Sequence, residues 1–410
     1  MLFRTNKTKS VKPNNRHKFV FSKFISSTIA FGVLHTSLIC CVLIQYFKDS
    51  GMLPLQLSII ITSKRLLRLF CDTFFGLIFD RFGAKIVFIS GRLMKLISYL
   101  ILLFYPSFVG FIIAMLFDGA SYSSIYGKIS SYIYNNLSIK RKLKLFPRSM
   151  SLYYLCMNAT ISMMTFFAGI LLKHYGYNII IYLSILTNIF SIFLLIRFVP
   201  KKTNSFISKY QSDSFKKIFL SLKNVIQQKP QFLYLIAIYG IVSFLAWQFH
   251  SISSLILLDM GVSNVELAMC GSILKLCMGI GAIISITFFS KGARLSSCAV
   301  FLIFILLFGT ASAIIYSKYL FYIFCLLIVI SYTTIEVSIE KNFEFFSDKK
   351  IRGTAISLAM TFCSLVAIFS NIIIGIIAEM FGYQSALICV ISIITISMII
   401  LTIKLFKKNL

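Results

Sequence analysis

LPLQLSIIITSKRLLRLFCDTFFGLIFDRFGAK, from Leu53 to Lys85, joins an apolar helix to a set of charges. Residues 55–79 are long enough to cross a bilayer as a helix. Yet Lys64, Arg65, Arg68 and Asp72 occupy the middle of that run. Charge at such depth is costly unless it pairs or meets water. At ~100° per residue, Arg65, Arg68 and Asp72 fall within an arc of roughly 60°. Arg68 and Asp72 are one turn apart and can pair along the helix. Lys64 and Arg65 have no evident partner nearby. They point either to a charge network with Asp118 or the eleventh span, or to direct binding of an anion. The run then leaves the membrane through a glycine-punctuated turn, Gly76 to Lys85.

The composition extends the membrane assignment to the whole chain. Of 410 residues, 58% are hydrophobic and 13% charged, against about a quarter charged in soluble domains. Twelve spans are expected, at 24–47, 55–79, 86–105, 108–134, 149–172, 178–199, 231–258, 265–289, 295–316, 319–341, 353–378 and 384–405. The net charge of +29 lies mainly in alternate connections, which places those segments and both termini in the cytoplasm. No basic soluble domain exists to hold nucleic acid. The ten cysteines sit within or beside apolar runs, without CxxC pairs or metal spacing, and read as packing residues. No cofactor is indicated. No cleaved signal is expected, because the first apolar run is too long and lacks a small-residue cleavage site.

The chain divides into a cytoplasmic tail (1–23), a six-helix bundle (24–199), a polar cytoplasmic loop (200–230), a second six-helix bundle (231–405) and a short tail (406–410). Phe215 to Ile226 in the loop reads as an interfacial helix or as plain linker. The halves resemble each other. Gly169-Ile170 and Tyr175-Gly176-Tyr177 recur as Gly375-Ile376 and Phe381-Gly382-Tyr383, and Gly83-Ala84-Lys85 as Gly292-Ala293-Arg294. Parallel repeats of this kind place a substrate site near the midplane, between halves that rock. The fold expected is all-α and polytopic, with twelve transmembrane helices in two pseudo-symmetric bundles.

Gly76-Leu-Ile-Phe-Asp80-Arg81-Phe-Gly83-Ala84-Lys85 resembles the loop signature G-x-x-x-D-R-x-G-R-K of the major facilitator superfamily, with Ala84 where that family usually has Arg. It falls between spans two and three, as in the family. The resemblance implies a secondary transporter working by alternating access, with no enzymatic activity. It further implies that Asp80 meets the start of the eleventh helix near Arg352 and that Arg81 and Lys85 join this cytoplasmic gate. Gly76 would permit close helix packing and Gly83 a tight turn. The exporter patterns of helices four and five are missing: Met115 stands where an Arg is common, and span five has only Ala168-Gly169.

The resemblance places helices one, four, seven and ten around the central cavity. The corresponding spans carry His35, then Asp118 with Lys128, then His250 beside Trp247 and Gln248, then Glu336 with Glu340. His35, Asp118, His250 and Glu336 are candidate proton carriers, with interhelical hydrogen bonding the plainer alternative for each. Trp247 and Gln248 are candidate substrate contacts. Lys275 in span eight joins Lys64, Arg65, Arg68 and Asp72 as intramembrane charge. Lys128, Glu340 and Lys341 read as snorkelling near the cytoplasmic interface. The function expected is proton-coupled transport of a small polar solute, with anions among the candidates, by a monomer in the plasma (bacterial inner) membrane. A drug or metabolite efflux antiporter and a non-transporting sensor or scaffold are the alternatives. An enzyme is disfavoured, since no HExxH, DxxD or GxSxG cluster occurs.

Overall fold

A chain crossing hydrocarbon must satisfy its backbone N–H and C=O groups internally, and a helix does so residue by residue. The computed structural model describes residues 38–125, 128–139, 145–199, 252–289, 317–346 and 352–408, and all regular structure among them is helical. The helices are α1 (Leu38–Asp49), α2 (Pro54–Phe82), α3 (Ala84–Phe104), α4 (Phe108–Ile125), α5 (Lys128–Ile139), α6 (Phe146–Phe198), α7 (Asn264–Phe289), α8 (Lys318–Phe346) and α9 (Arg352–Lys408). A further helical stretch covers 252–259.

Among the described residues, six helical segments are long and apolar enough to cross a membrane: Ala84–Phe104, Phe108–Tyr134, Arg148–Arg197, Asn264–Ser285, Lys318–Val337 and Ser364–Ile393. The charged α2 is absent from that set, although its 29 residues reach about 43 Å. Its charges are turned inward. Arg65, Arg68 and Asp72 are buried, while Leu66, Phe70 and Phe74 stand exposed at four-residue spacing. An apolar exterior over a polar interior is the arrangement a helix needs when its surroundings are lipid. Of the expected spans, the first is described only from Leu38 and the seventh only at 252–259. The ninth lies outside the described residues.

Expected spans five and six run together as α6, and eleven and twelve as α9. Each is broken by one residue with positive φ, Gly176 (72°) and Gly382 (83°). Both sit at the centre of the repeated Tyr/Phe-Gly-Tyr turn, where a residue with a Cβ would be strained. The structure adds a second duplicated connection. After α1, Gly51 N–H donates to Lys48 O and Met52 N–H to Phe47 O; after 252–259, Gly261 N–H donates to Leu258 O and Val262 N–H to Leu257 O. These are matching Schellman ends. The next helix then starts alike in both places, with Gln56 Oε1 accepting from Leu53 N–H (3.0 Å) and Glu266 Oε2 from Ser263 N–H (2.9 Å).

The helices pack in matching pairs, α6 on α7 and α9 on α2. Gly169 of α6 meets Ala268 of α7, and Gly375 of α9 meets Ser58 of α2, too closely for a Cβ on either glycine. Helices α2, α3 and α4 form a second set of neighbours. One apolar cluster contains Leu57, Ile60, Tyr99, Leu102, Phe111 and Met115; another contains Phe75, Phe79, Val87, Phe88, Ala120 and Ile125. Between them, at the middle level of all three helices, lies a layer of charge.

Candidate substrate site

The charge layer has two parts. In the first, Asp118 of α4 is 2% exposed and sits between two ammonium groups. Lys64 of α2 reaches its Oδ2 at 2.7 Å, and Lys95 of α3 reaches its Oδ1. Lys95 Nζ also donates to Cys40 Sγ of α1 at 3.0 Å. Small residues bring these groups together. A Cβ at Gly119 would overlap the carbonyl oxygen of Lys64, and one at Gly91 would overlap Ser124. Arg92, one turn before Lys95, is buried in the same layer.

In the second part, Asp72 is shared along and between helices. Arg68 Nε lies 3.3 Å from its Oδ2. Lys128 Nζ lies 3.5 Å from its Oδ1 and donates to its backbone carbonyl at 3.0 Å. Lys128 therefore does not snorkel: it is buried and folds back onto α2. The Tyr122 ring stacks against these cations, 4.6 Å from Arg68 Cζ and 5.4 Å from Lys64 Nζ. Such contacts add attraction where water is scarce. Tyr122 is also within electrostatic reach of Arg65 and of Glu336 on α8. Glu336 is buried and bonded to Tyr332, one turn earlier on the same helix. Tyr122 is thus within electrostatic reach of charges from both α2 and α8.

Other expected residues lie elsewhere. Lys275 of α7 is half-buried and donates to Met278 Sδ at 3.5 Å. Lys85 donates to the carbonyl of Ile196 at 2.7 Å, capping the end of α6, as a basic side chain does at a helix C-terminus. Gly83 has φ 89° and makes the turn between α2 and α3. At Gly76, a Cβ would meet nothing within 4 Å among the described residues, so the close packing expected there is not among the described contacts. Asp80 and Arg81 fall in the last turns of α2 and Arg352 opens α9; their side chains lie outside the described residues. So do His35, Trp247, Gln248 and His250. Arg92 and Lys95 were missed by the sequence reading, although Gly91-Arg92-Leu93-Met94-Lys95 puts two cations inside span three. The depth rule applied to spans two and four would have found them.

The family model for the Major Facilitator Superfamily matches residues 24–343, more than half of the chain. The chain belongs to the Major Facilitator Superfamily. It is therefore an integral, multi-pass membrane transporter of small molecules and not an enzyme. Solved structures of this superfamily share the fold. The nucleoside transporter NupG is 13% identical, with a TM-score of 0.67 over 93% of this chain and 98% of that one. A bacterial homologue of the human lysosomal transporter Spinster, inward-facing and occupied, is 13% identical, with a TM-score of 0.70 over 96% and 97%. The human organic anion transporter MFSD10 (TETRAN) is 14% identical, with a TM-score of 0.66 over 95% and 100%. A search of curated protein sequences found no match.

Proposed function

We propose that the chain is a secondary active transporter that moves a small polar anion by alternating access, coupled to protons, as a monomer in the plasma (bacterial inner) membrane. One observation carries the choice of an anion. Among the described residues, the charge layer holds six cations (Lys64, Arg65, Arg68, Arg92, Lys95 and Lys128) against three carboxylates (Asp72, Asp118 and Glu336). An excess of positive charge in a water-poor site raises the local concentration of anions and favours their binding.

The halves 24–199 and 231–405 rock about the central loop 200–230, and Gly76, Asp80, Arg81, Gly83, Lys85 and Arg352 form the cytoplasmic gate. Glu336 carries the coupling proton. Ionised, it competes with the substrate for the cations on α2; protonated, it releases them, so one proton and one anion load together. Asp118 secures the lysines that shape the layer. His35, Trp247, Gln248 and His250 complete the substrate and coupling set.

The test is flux into proteoliposomes holding the full-length protein, with radiolabelled small carboxylates, phosphates and neutral solutes. An inward proton gradient should drive accumulation of an anion. Glu336→Gln should abolish that accumulation while leaving anion exchange within about threefold of wild type, because losing only the coupling step spares binding. Transport of neutral solutes alone, or full coupling in Glu336→Gln, would sink the proposal.

A further inference from the structure

Arg92 is a cation of the charge layer whose side chain makes no ion pair among the described residues. It is 3% exposed. Cys40 of α1, Tyr99 of its own helix, Asp118 of α4 and Tyr153 of α6 stand within electrostatic reach. Asn188 of α6 donates to its backbone carbonyl at 2.9 Å, a bond that does not involve the guanidinium. The obvious partner is already taken: Lys64 and Lys95 occupy one oxygen each of Asp118. Arg92 Nε and Nη2 meet no hydrogen-bond partner among the described residues.

The identity of those two atoms matters. Nε–H and Nη2–H lie on the same edge of the guanidinium and point in parallel. That edge is the fork that receives two oxygens of a carboxylate or phosphate at once. A buried donor without an acceptor is costly, and two on one edge of a permanent cation is a geometry an oxyanion would satisfy in full. The surroundings suit such a ligand. Lys95, one turn along α3, adds positive charge, and no second carboxylate faces the fork among the groups within reach.

We infer that Arg92 binds the carboxylate or phosphate head of the carried solute, two oxygens to Nε–H and Nη2–H, within the helices α1, α3, α4 and α6. That the ligand is the carried solute rests on the anion-carrier proposal; that Arg92 takes an oxyanion does not. A halide is a single atom and cannot lie in line with two parallel N–H groups at once, whereas two oxygens of an oxyanion can, so chloride should compete weakly.

Thermal unfolding of the purified full-length protein is followed while sodium acetate or sodium phosphate is titrated against sodium chloride at matched ionic strength. Wild type should show a saturable rise in Tm with acetate or phosphate beyond that with chloride. Arg92→Lys keeps the charge but loses the fork, and should weaken the apparent affinity at least about tenfold. Arg92→Met, which removes the buried charge altogether, is read where the lysine variant does not fold, and should show no response. An equal response in a folded variant and in wild type, or no response in wild type, overturns the inference. In proteoliposomes, Arg92→Lys should raise the KM for the anion by a similar factor, and an unchanged KM overturns its assignment to the solute. If no anion is carried while the Arg92-dependent Tm response persists, the carrier proposal has failed and the oxyanion site has not.

Discussion

Asp118 is the residue through which three helices are joined by charge. Lys64 comes from α2 and Lys95 from α3, and the carboxylate offers one oxygen to each. The need for such a partner was legible in the sequence, because a lysine in the middle of an apolar span must find compensation and Asp118 is a carboxylate at similar depth on a neighbouring span. The second lysine was not legible in the same way, since the apolar run of span three masks the two cations within it. Breaking a buried pair costs about 3–5 kcal/mol, because the remaining charge stays buried without its partner. Asp118→Asn should therefore abolish most folded protein, as read by the yield of monodisperse material in detergent. Adding Lys95→Met to that variant should recover a clear fraction, because one of the two uncompensated ammoniums is gone. A full yield from Asp118→Asn alone would show that the lysines find water instead.

At the scale of the helix, the layer exists because α2 and α4 touch backbone to backbone. A Cβ at Gly119 would strike the Lys64 carbonyl oxygen and carbonyl carbon, atoms that cannot rotate away. Gly119→Ala should cost about 1–3 kcal/mol through overpacking and lower the melting temperature of the purified protein. Gly76→Ala serves as the control on α2, where nothing described stands within 4 Å, and should leave the melting temperature close to wild type. Alanine favours a helix over glycine by about 1 kcal/mol, so similar losses at both positions would show that the cost does not come from the Gly119 contact. The helix breaks at Gly176 and Gly382 were legible because aromatic residues flank both glycines in the same way. The matching ends at Gly51 and Gly261 were not. Their sequences, Asp49-Ser50-Gly51 and Asp259-Met260-Gly261, share two residues, and their equivalence lies in backbone hydrogen bonds that many sequences can make.

For the whole molecule, three of the described polar contacts between the proposed halves lie at the end that carries those glycine turns. Lys48 Nζ lies 2.9 Å from Asp259 Oδ1, Gln45 Nε2 donates to Asn264 Oδ1 at 3.3 Å, and Leu55 N–H donates to Glu379 Oε2 at 3.2 Å. Asp49 accepts from Tyr177 on the flank. The succession of helices was legible from the apolar runs and the turns between them, but these links were not. Lys48 and Asp259 are single charges in short connections, and nothing in their sequence pairs a residue with one 211 positions away. The proposed alternating access requires this end to open, so each link would bias the equilibrium towards closure. The Lys48–Asp259 pair is half-exposed, and such pairs contribute about 0.2–1 kcal/mol. Lys48→Glu sets two carboxylates against each other and should raise the open population by about two- to fivefold. Amide hydrogen exchange over residues 50–55 and 259–263 measures that population, since those amides are released when the turns separate. Exchange there should quicken by a similar factor in Lys48→Glu. It should return to the wild-type rate when the pair is reversed as Lys48→Asp with Asp259→Lys, because the attraction is restored with its direction inverted. Exchange that is unchanged in the single variant, or uncorrected in the reversed pair, would mean that the apolar contacts of α6 on α7 and α9 on α2 close this end without help from its charges.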